Sequence, residues 1–275
     1  MKSSYLFTVL LLTGISFSCK KDPVKSPATP PSDIQTVLLK DVVIQALPSP
    51  YYHFDYNDSG YITKAAYSSG FKSYDILYAS RRISEIKSTH AINKDKLVYQ
   101  YENGKVSLVK YFNEAGENYK RCFLSYNVSG LPEEMEWEIK LDAPGFTSER
   151  TLSFTYHPDG NLHELKDKKH FIAGRQNESA CTDKFEDYDN KVNVDGFMLI
   201  HANNDHLILL PGVKWQKNNP RRAIRTGDLI NYEIDYTYTY NELNKPVFRN
   251  GDMLLTTGTD AGQRFQSHTS FSYYP

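Results

Sequence analysis

"FTYHPDGNLHEL", residues 154–165, alternates large apolar with small polar side chains, breaks at a Pro-Asp-Gly turn, and resumes with apolar residues. Side chains along a strand point to opposite faces in turn, so Leu152, Phe154 and Tyr156 share one face and Ser153 and Thr155 the other. Pro158 presets the backbone torsion for a turn, and Gly160 accepts the positive φ that closes it. The stretch predicts strand, tight turn, strand.

Variants of the phrase recur on both sides: "YHFDYNDSGYITKAAY" from Tyr52, "SYDILYASRRISEIK" from Ser73, "LVYQYENGKVSLVKYF" from Leu97, "CFLSYNVSGLPEEMEW" from Cys122 and "YTYTYNELNKPVFRN" from Tyr236. The last aromatic before each turn falls at Tyr56, Tyr78, Tyr101, Tyr126, Tyr156 and Tyr240, with first intervals of 22, 23, 25 and 30 residues. This is an imperfect repeat of hairpins. Hairpins that pair their outer strands build an extended antiparallel meander, so the fold class is all-β. Aromatics at 13%, with 21 tyrosines, suit pleated surfaces. Periodicity specifies which neighbours pair; it leaves an open, a rolled and a sandwiched sheet equally allowed.

The repeat is interrupted over about residues 166–231. Within that stretch "GFMLIHANNDHLILLPGV", residues 196–213, clusters apolar residues without alternation. It predicts a short helix and loop covering one face of the sheet, since an exposed apolar face needs a cover. The single β domain is taken as residues 33–275.

Ahead of it, Lys2 precedes an apolar run of 13 residues, 5–17. A spanning helix needs about 20 apolar residues, so residues 1–18 predict a cleavable export signal. Residues 19–32, "CKKDPVKSPATPPS", predict a proline-stiffened tether, roughly 40 Å long if extended at about 3.1 Å per residue. A cysteine directly after a signal's apolar core resembles the lipobox of bacterial lipoproteins. The resemblance implies acylation of Cys19 and a membrane partner reached through that lipid anchor. The Cys-Lys-Lys-Asp start is similar to lipoproteins of Bacteroidetes-type bacteria, which implies an outer-membrane lipoprotein facing the cell surface or the periplasm. Without residues 1–18 the chain carries 31 basic and 33 acidic residues, a near-neutral balance that argues against a nucleic-acid partner. The basic run "NPRRAIR", residues 219–225, reads as a solvated loop.

Two further resemblances concern the domain itself. The aromatic strand, turn glycine and following leucine or isoleucine resemble the YD-type repeat. "FEDYDNKVN", residues 185–193, with "WQKNNPRRA", residues 215–223, resembles a Bacteroidetes-type lipoprotein family of unknown function that carries a "YDNK-N … KNNP" signature. These resemblances imply a fold and a location, and they bring no catalytic residues.

Candidate chemistry is sparse. Cys122 and Cys181 make an even pair for an oxidising compartment once Cys19 is acylated, and either a disulfide or two buried thiols fits. "PEEMEWEIK" sets Glu134, Glu136 and Glu138 on one face and Met135, Trp137 and Ile139 on the other. Same-face neighbours lie about 7 Å apart, near the spacing of glycosidase carboxylates, but any acidic strand produces it. Asp187, Asp189 and Asp195 offer oxygens for calcium, although Lys191 stands where a third ligand of a helix-loop-helix site belongs. "HELKD" lacks the second histidine of a zinc helix, and no phosphate loop or nucleophile elbow is present. No cofactor is indicated. An aromatic row of Tyr99, Tyr101, Trp137, Tyr156 and Tyr238 either packs inside or, if exposed, stacks on sugar rings. The sequence thus points to a non-enzymatic interaction module with a protein partner, or alternatively to a glycan-binding accessory lipoprotein.

Overall fold

The computed structural model describes residues 38–90, 93–141, 145–201 and 206–275. The predicted acylation site Cys19, export signal and tether lie outside the described residues.

The first hairpins comprise β1 (Leu39–Ile44), β2 (Tyr52–Tyr56), β3 (Ile62–Tyr67), β4 (Lys72–Ala79), β5 (Arg82–Ser88) and β6 (Lys96–Glu102). The middle of the chain gives β7 (Lys105–Phe112), β8 (Asn118–Tyr126), β9 (Pro132–Lys140), β10 (Phe146–Tyr156) and β11 (Leu162–Lys169). Then come β12 (Ser179–Val192), the one-turn helix α1 (Met198–His201), β13 (Asn218–Gly227), β14 (Tyr232–Tyr240), β15 (Pro246–Leu255) and β16 (Arg264–Tyr273). Each strand pairs antiparallel with its sequence neighbours, and β1 pairs with β16, so the meander rolls up into a closed barrel. The stretch predicted as irregular, 166–231, is corrected: β11, β12 and β13 run through it, and among the described residues 193–201 and 206–217 form the one long departure from strand structure.

The repeated phrase acquires a mechanical meaning here. A register shift sits at the anchor residue of six hairpins, Tyr56, Tyr78, Tyr101, Tyr126, Tyr156 and Tyr240. Such a bulge re-aims the side chain beside it. Most of the even-numbered strands end in a tyrosine whose hydroxyl donates to the backbone carbonyl at the start of the strand before it. Tyr56 reaches Leu39 at 2.9 Å, Tyr78 reaches Ile62 at 3.0 Å, Tyr101 reaches Ile83 at 2.9 Å and Tyr126 reaches Val106 at 2.9 Å. Tyr188 continues the series to Leu162 at 2.6 Å, Tyr238 to Pro220 at 2.9 Å and Tyr273 to Pro246 at 2.6 Å. Tyr156 holds the same place on β10, but its hydroxyl is buried without a partner. A ring of tyrosines therefore braces one rim of the barrel, hairpin to hairpin. In β14 the bracing residue is Tyr238 rather than the sequence anchor Tyr240, whose hydroxyl donates to Asp189.

Alternation decides what faces where. Inward positions on the strands include Phe54, Tyr74, Ile86, Leu97, Val109, Met135, Trp137 and Leu152, all buried. The outward positions carry charge: Glu134 is exposed, Lys166, Lys168 and Lys184 are exposed, and Arg121 pairs with Glu138 across the wall of β8 and β9. Arg222–Glu233 and Arg264–Asp252 do the same on the other side, at 2.7 and 2.8 Å. Membrane-spanning barrels show the opposite pattern, an apolar outer band around a polar interior.

A closed barrel of this strand number encloses more space than its wall side chains can fill. Residues 193–201 and 206–217 fill it. They leave the end of β12 at the tyrosine rim and return to β13 at the same rim. At the far end His201 Nδ1 shares a proton with Tyr52 at 2.7 Å, and His206 Nδ1 does so with Tyr74 at 3.1 Å. Tyr52 and Tyr74 sit at the starts of their strands, at the opposite rim. The segment is thus an internal plug that crosses the lumen, where the sequence had suggested a cover over one sheet face.

Candidate functional site: a polar chamber inside the barrel

The plug does not fill the lumen evenly. It packs against the inner faces of β2–β10: Phe197 lies edge-on to Tyr52 and Phe54, at 5.0 and 5.3 Å between ring centres, and Trp215 lies 4.8 Å from Phe154. The Leu209 amide donates to the Tyr99 hydroxyl at 3.2 Å. Ile200 and Leu207–Leu210 are buried with them. Against β10–β15 the plug stands off, leaving a chamber of about 320 Å³. Its apolar floor includes Leu165, Phe185, Ala223, Met198 and Leu199.

Its charged lining is three ion pairs, with Gln216, Tyr232 and Tyr236 beside them. Arg150 forks onto Asp167 with Nε–Oδ1 at 2.8 Å and Nη2–Oδ2 at 2.9 Å, both residues almost fully buried. Arg225 forks onto Asp183 at 2.6 and 2.5 Å. Arg249 donates from Nη1 to Asp195 at 2.6 Å and from Nη2 to Thr269 at 3.4 Å. Tyrosine rings lie beneath two of the guanidinium groups: Arg225 is 5.1 Å from the Tyr232 ring centre, and Arg249 is 5.2 Å from that of Tyr236. Burial opposes the charge on Arg225 and Arg249, but Asp183 and Asp195 outweigh it and hold both firmly cationic. Burial likewise drives the Tyr232 and Tyr236 phenols upward, so both hydroxyls stay protonated donors.

The two halves of the "YDNK-N … KNNP" signature meet at the entrance of the plug. Asp189 accepts from the Asn219 backbone at 3.2 Å and from its side-chain amide at 3.3 Å. Asn218 donates to the Lys191 carbonyl at 2.9 Å, and Asn161 Oδ1 accepts from the Asn218 amide at 2.8 Å. Gln216 donates to the Tyr188 hydroxyl at 3.3 Å. The signature is a clamp holding the two ends of the plug together.

Other predicted site residues fall elsewhere. Of the aromatic row, Trp137 is fully buried and donates to the Tyr111 hydroxyl at 3.1 Å, and Tyr99 is buried against the plug. Tyr101, Tyr156 and Tyr238 belong to the rim ring. Of the two readings of the row, the inward one holds and the stacking platform is corrected: alternation turns these rings inward. Asp187, Asp189 and Asp195 do not converge either. Asp187 is exposed, Asp189 is committed to the clamp and Asp195 to Arg249, and no cluster suited to a metal ion exists among the described residues. Cys122 on β8 and Cys181 on β12 are free buried thiols on strands that are not neighbours, so the disulfide reading is not met. Glu134, Glu136 and Glu138 lie on the outer wall, where Ser148 donates to Glu136 at 2.6 Å. They do not face the chamber.

Of the six charged residues in the chamber, the sequence singles out Asp195, as a calcium candidate, and Arg225, within the basic run 219–225 read as a solvated loop; that run is instead strand β13, with Arg225 turned inward onto Asp183. A signal for the others exists. Arg150 shares the inward register of Leu152 and Phe154, Asp167 that of Leu165, and Asp183 that of Cys181 and Phe185. A charge written on the apolar parity of a strand marks a polar interior.

Fold and lining together define a water-compatible antiparallel barrel with a plugged lumen and one polar internal chamber. Among solved structures the chain resembles a porin-like protein from Bacteroides uniformis ATCC 8492, with a TM-score of 0.54 and 13% identity over 81% of this chain and 89% of that one. It also resembles a porin-like protein from Bacteroides vulgatus ATCC 8482, with a TM-score of 0.55 and 14% identity over 86% of this chain and 99% of that one. At these identities the likeness is one of fold. No protein-family model and no curated protein matches the chain.

Proposed function

We propose that the protein is an exported, lipid-anchored binding module of the outer membrane, non-enzymatic, held at the bilayer by Cys19 and not by its strands. The observation that carries this reading is the inverted wall: charged residues cover the outside of the barrel and apolar side chains fill the inside. A basic side chain facing lipid near the bilayer midplane costs about 2–4 kcal/mol, and this wall would place many there. The plug occupies the lumen that a channel would need. The likeness to porin-like proteins supports an envelope setting, while the inverted wall separates this chain from a conducting pore. The ion pairs of the chamber favour a holding role over catalysis, since each charged group is tied to an opposite one.

The test combines two measurements on the full-length chain. Cells fed a labelled fatty acid should transfer it to the protein, and Cys19→Ser should abolish the label and release the protein from membranes. Purified protein added to a planar bilayer should give no ohmic current. Steady channel currents, or stable membrane insertion of the Cys19→Ser chain, would overturn the reading.

A further inference from the structure

The chamber has the chemistry of a sugar site. We infer that it binds a neutral, hydroxyl-rich ligand, a single sugar unit or the end of a longer glycan; the inference rests on the binding-module reading and gives it a ligand class.

Stability alone does not account for the chamber. Replacing a buried ion pair by well-packed apolar residues is often neutral or favourable, and protein interiors leave few voids larger than a water molecule. The opposite half of this same lumen is filled in that way by the plug. On the β10–β15 side the chain instead keeps three ion pairs beside an open volume of about 320 Å³. That volume lies within the range of about 300–1,000 Å³ found for small-molecule sites.

The ligand class follows from charge and geometry. Three guanidinium groups face three carboxylates, so the chamber is balanced and has no net charge to offer an ion. A charged ligand would bring an unpaired charge into a largely desolvated space, which is costly. Arginine forks and carboxylates present parallel donors and acceptors, the arrangement that neighbouring hydroxyls on a sugar ring can meet in pairs. Arg225 spends Nε and Nη2 on Asp183, leaving Nη1 without a partner among the described residues. The side chains of Arg225 and Arg249 remain 23% and 19% exposed although both lie inside the barrel. Tyr232 and Tyr236 hold the Arg225 and Arg249 guanidinium groups in place, and Leu165 and Phe185 supply the apolar surface for the carbon side of a sugar. Where the sequence allowed an exposed aromatic row to stack on sugars, the structure offers this partly open chamber instead.

The experiment is a calorimetric titration and a thermal-melting series on the purified full-length chain. The neutral probes are glucose, galactose and N-acetylglucosamine; glucuronate and glucosamine are the charged ones. At least one neutral sugar should bind and raise the melting midpoint, with its charged analogue about tenfold weaker or worse. Arg225→Lys keeps the charge but loses the fork, and it should weaken binding about tenfold or more. Ala223→Leu, which narrows the chamber from its apolar floor, should do the same and serves if the arginine variant does not fold. Binding of no neutral sugar, equal binding of the charged analogues, or unchanged binding by a folded variant would overturn the inference. A chain that binds no sugar yet is acylated and non-conducting would leave the envelope reading intact; a conducting chain would remove that reading whatever the sugars do.

Discussion

Tyr101 and Tyr156 hold equivalent places at the ends of β6 and β10, yet one hydroxyl reaches a carbonyl and the other reaches nothing. A hydrogen bond of this kind contributes about 1 kcal/mol net, whereas a buried unpaired hydroxyl is a cost. In urea denaturation Tyr101→Phe should therefore lose about 1 kcal/mol, and Tyr156→Phe should be neutral or gain slightly. The ring as a whole makes stability depend on alkaline pH. Burial pushes the phenols of Tyr78 and Tyr126 up to about 12. An unfolded tyrosine ionises near pH 10, so between about 10 and 12 the unfolded chain sheds protons that the folded one keeps. Stability is then fully present below about pH 10 and falls as pH rises through about 12. Absorbance of tyrosinate and loss of strand signal should rise together in that window; tyrosines titrating freely near pH 10 in an intact barrel would contradict this. At this scale the sequence was half legible. The anchors stood out because each precedes a turn, but which carbonyl each hydroxyl meets depends on strand register. The inward charges went unread because single charged letters vanish among many solvated ones.

The plug is the element that repetition hid. Its apolar residues show no period because it is neither strand nor, beyond the single turn of α1, helix, so the residues that pack on β2–β10 follow no regular spacing. The start of β11 is legible as the second strand of the 154–165 hairpin, but its continuation past residue 165 and the whole of β12 are not: their inward register carries Asp167 and Asp183, which erases the alternation that marks a strand. Trp215 is almost fully buried beside Phe154, and Trp215→Ala should cost about 3–5 kcal/mol. Asn219→Ala removes the side-chain bonds of the clamp to Asp189, Lys191 and Asn193 at once and leaves the backbone bond to Asp189. Hydrogen exchange should then show residues 193–217 losing protection well before the surrounding strands. Uniform loss across the barrel would mean that plug and wall unfold as one unit.

The strand order of the whole molecule could be anticipated, since each hairpin predicts its own partner. Closure could not, because it rests on one long-range pairing that no local pattern announces. Nor could the outer wall be judged before the inside was known, as both faces of an open meander read alike. With the wall assigned, the Cys19→Ser chain should stay in solution without detergent and elute as a discrete species on size exclusion; aggregation until detergent is added would indicate a lipid-facing wall instead.

The pairing of β1 with β16 also has a consequence in time. The Ser272 hydroxyl and the Asp41 carboxylate that meet across it are 231 positions apart. Every other strand finds its neighbour soon after emerging, but β1 must wait for nearly the whole chain. Until β16 arrives, the growing sheet keeps two unpaired edges, and such edges invite pairing with other chains. Long-range closure is also the slow part of β-rich folding. The molecule is therefore most vulnerable while its closing strand is still missing, when a partner that shields a strand edge would help it most.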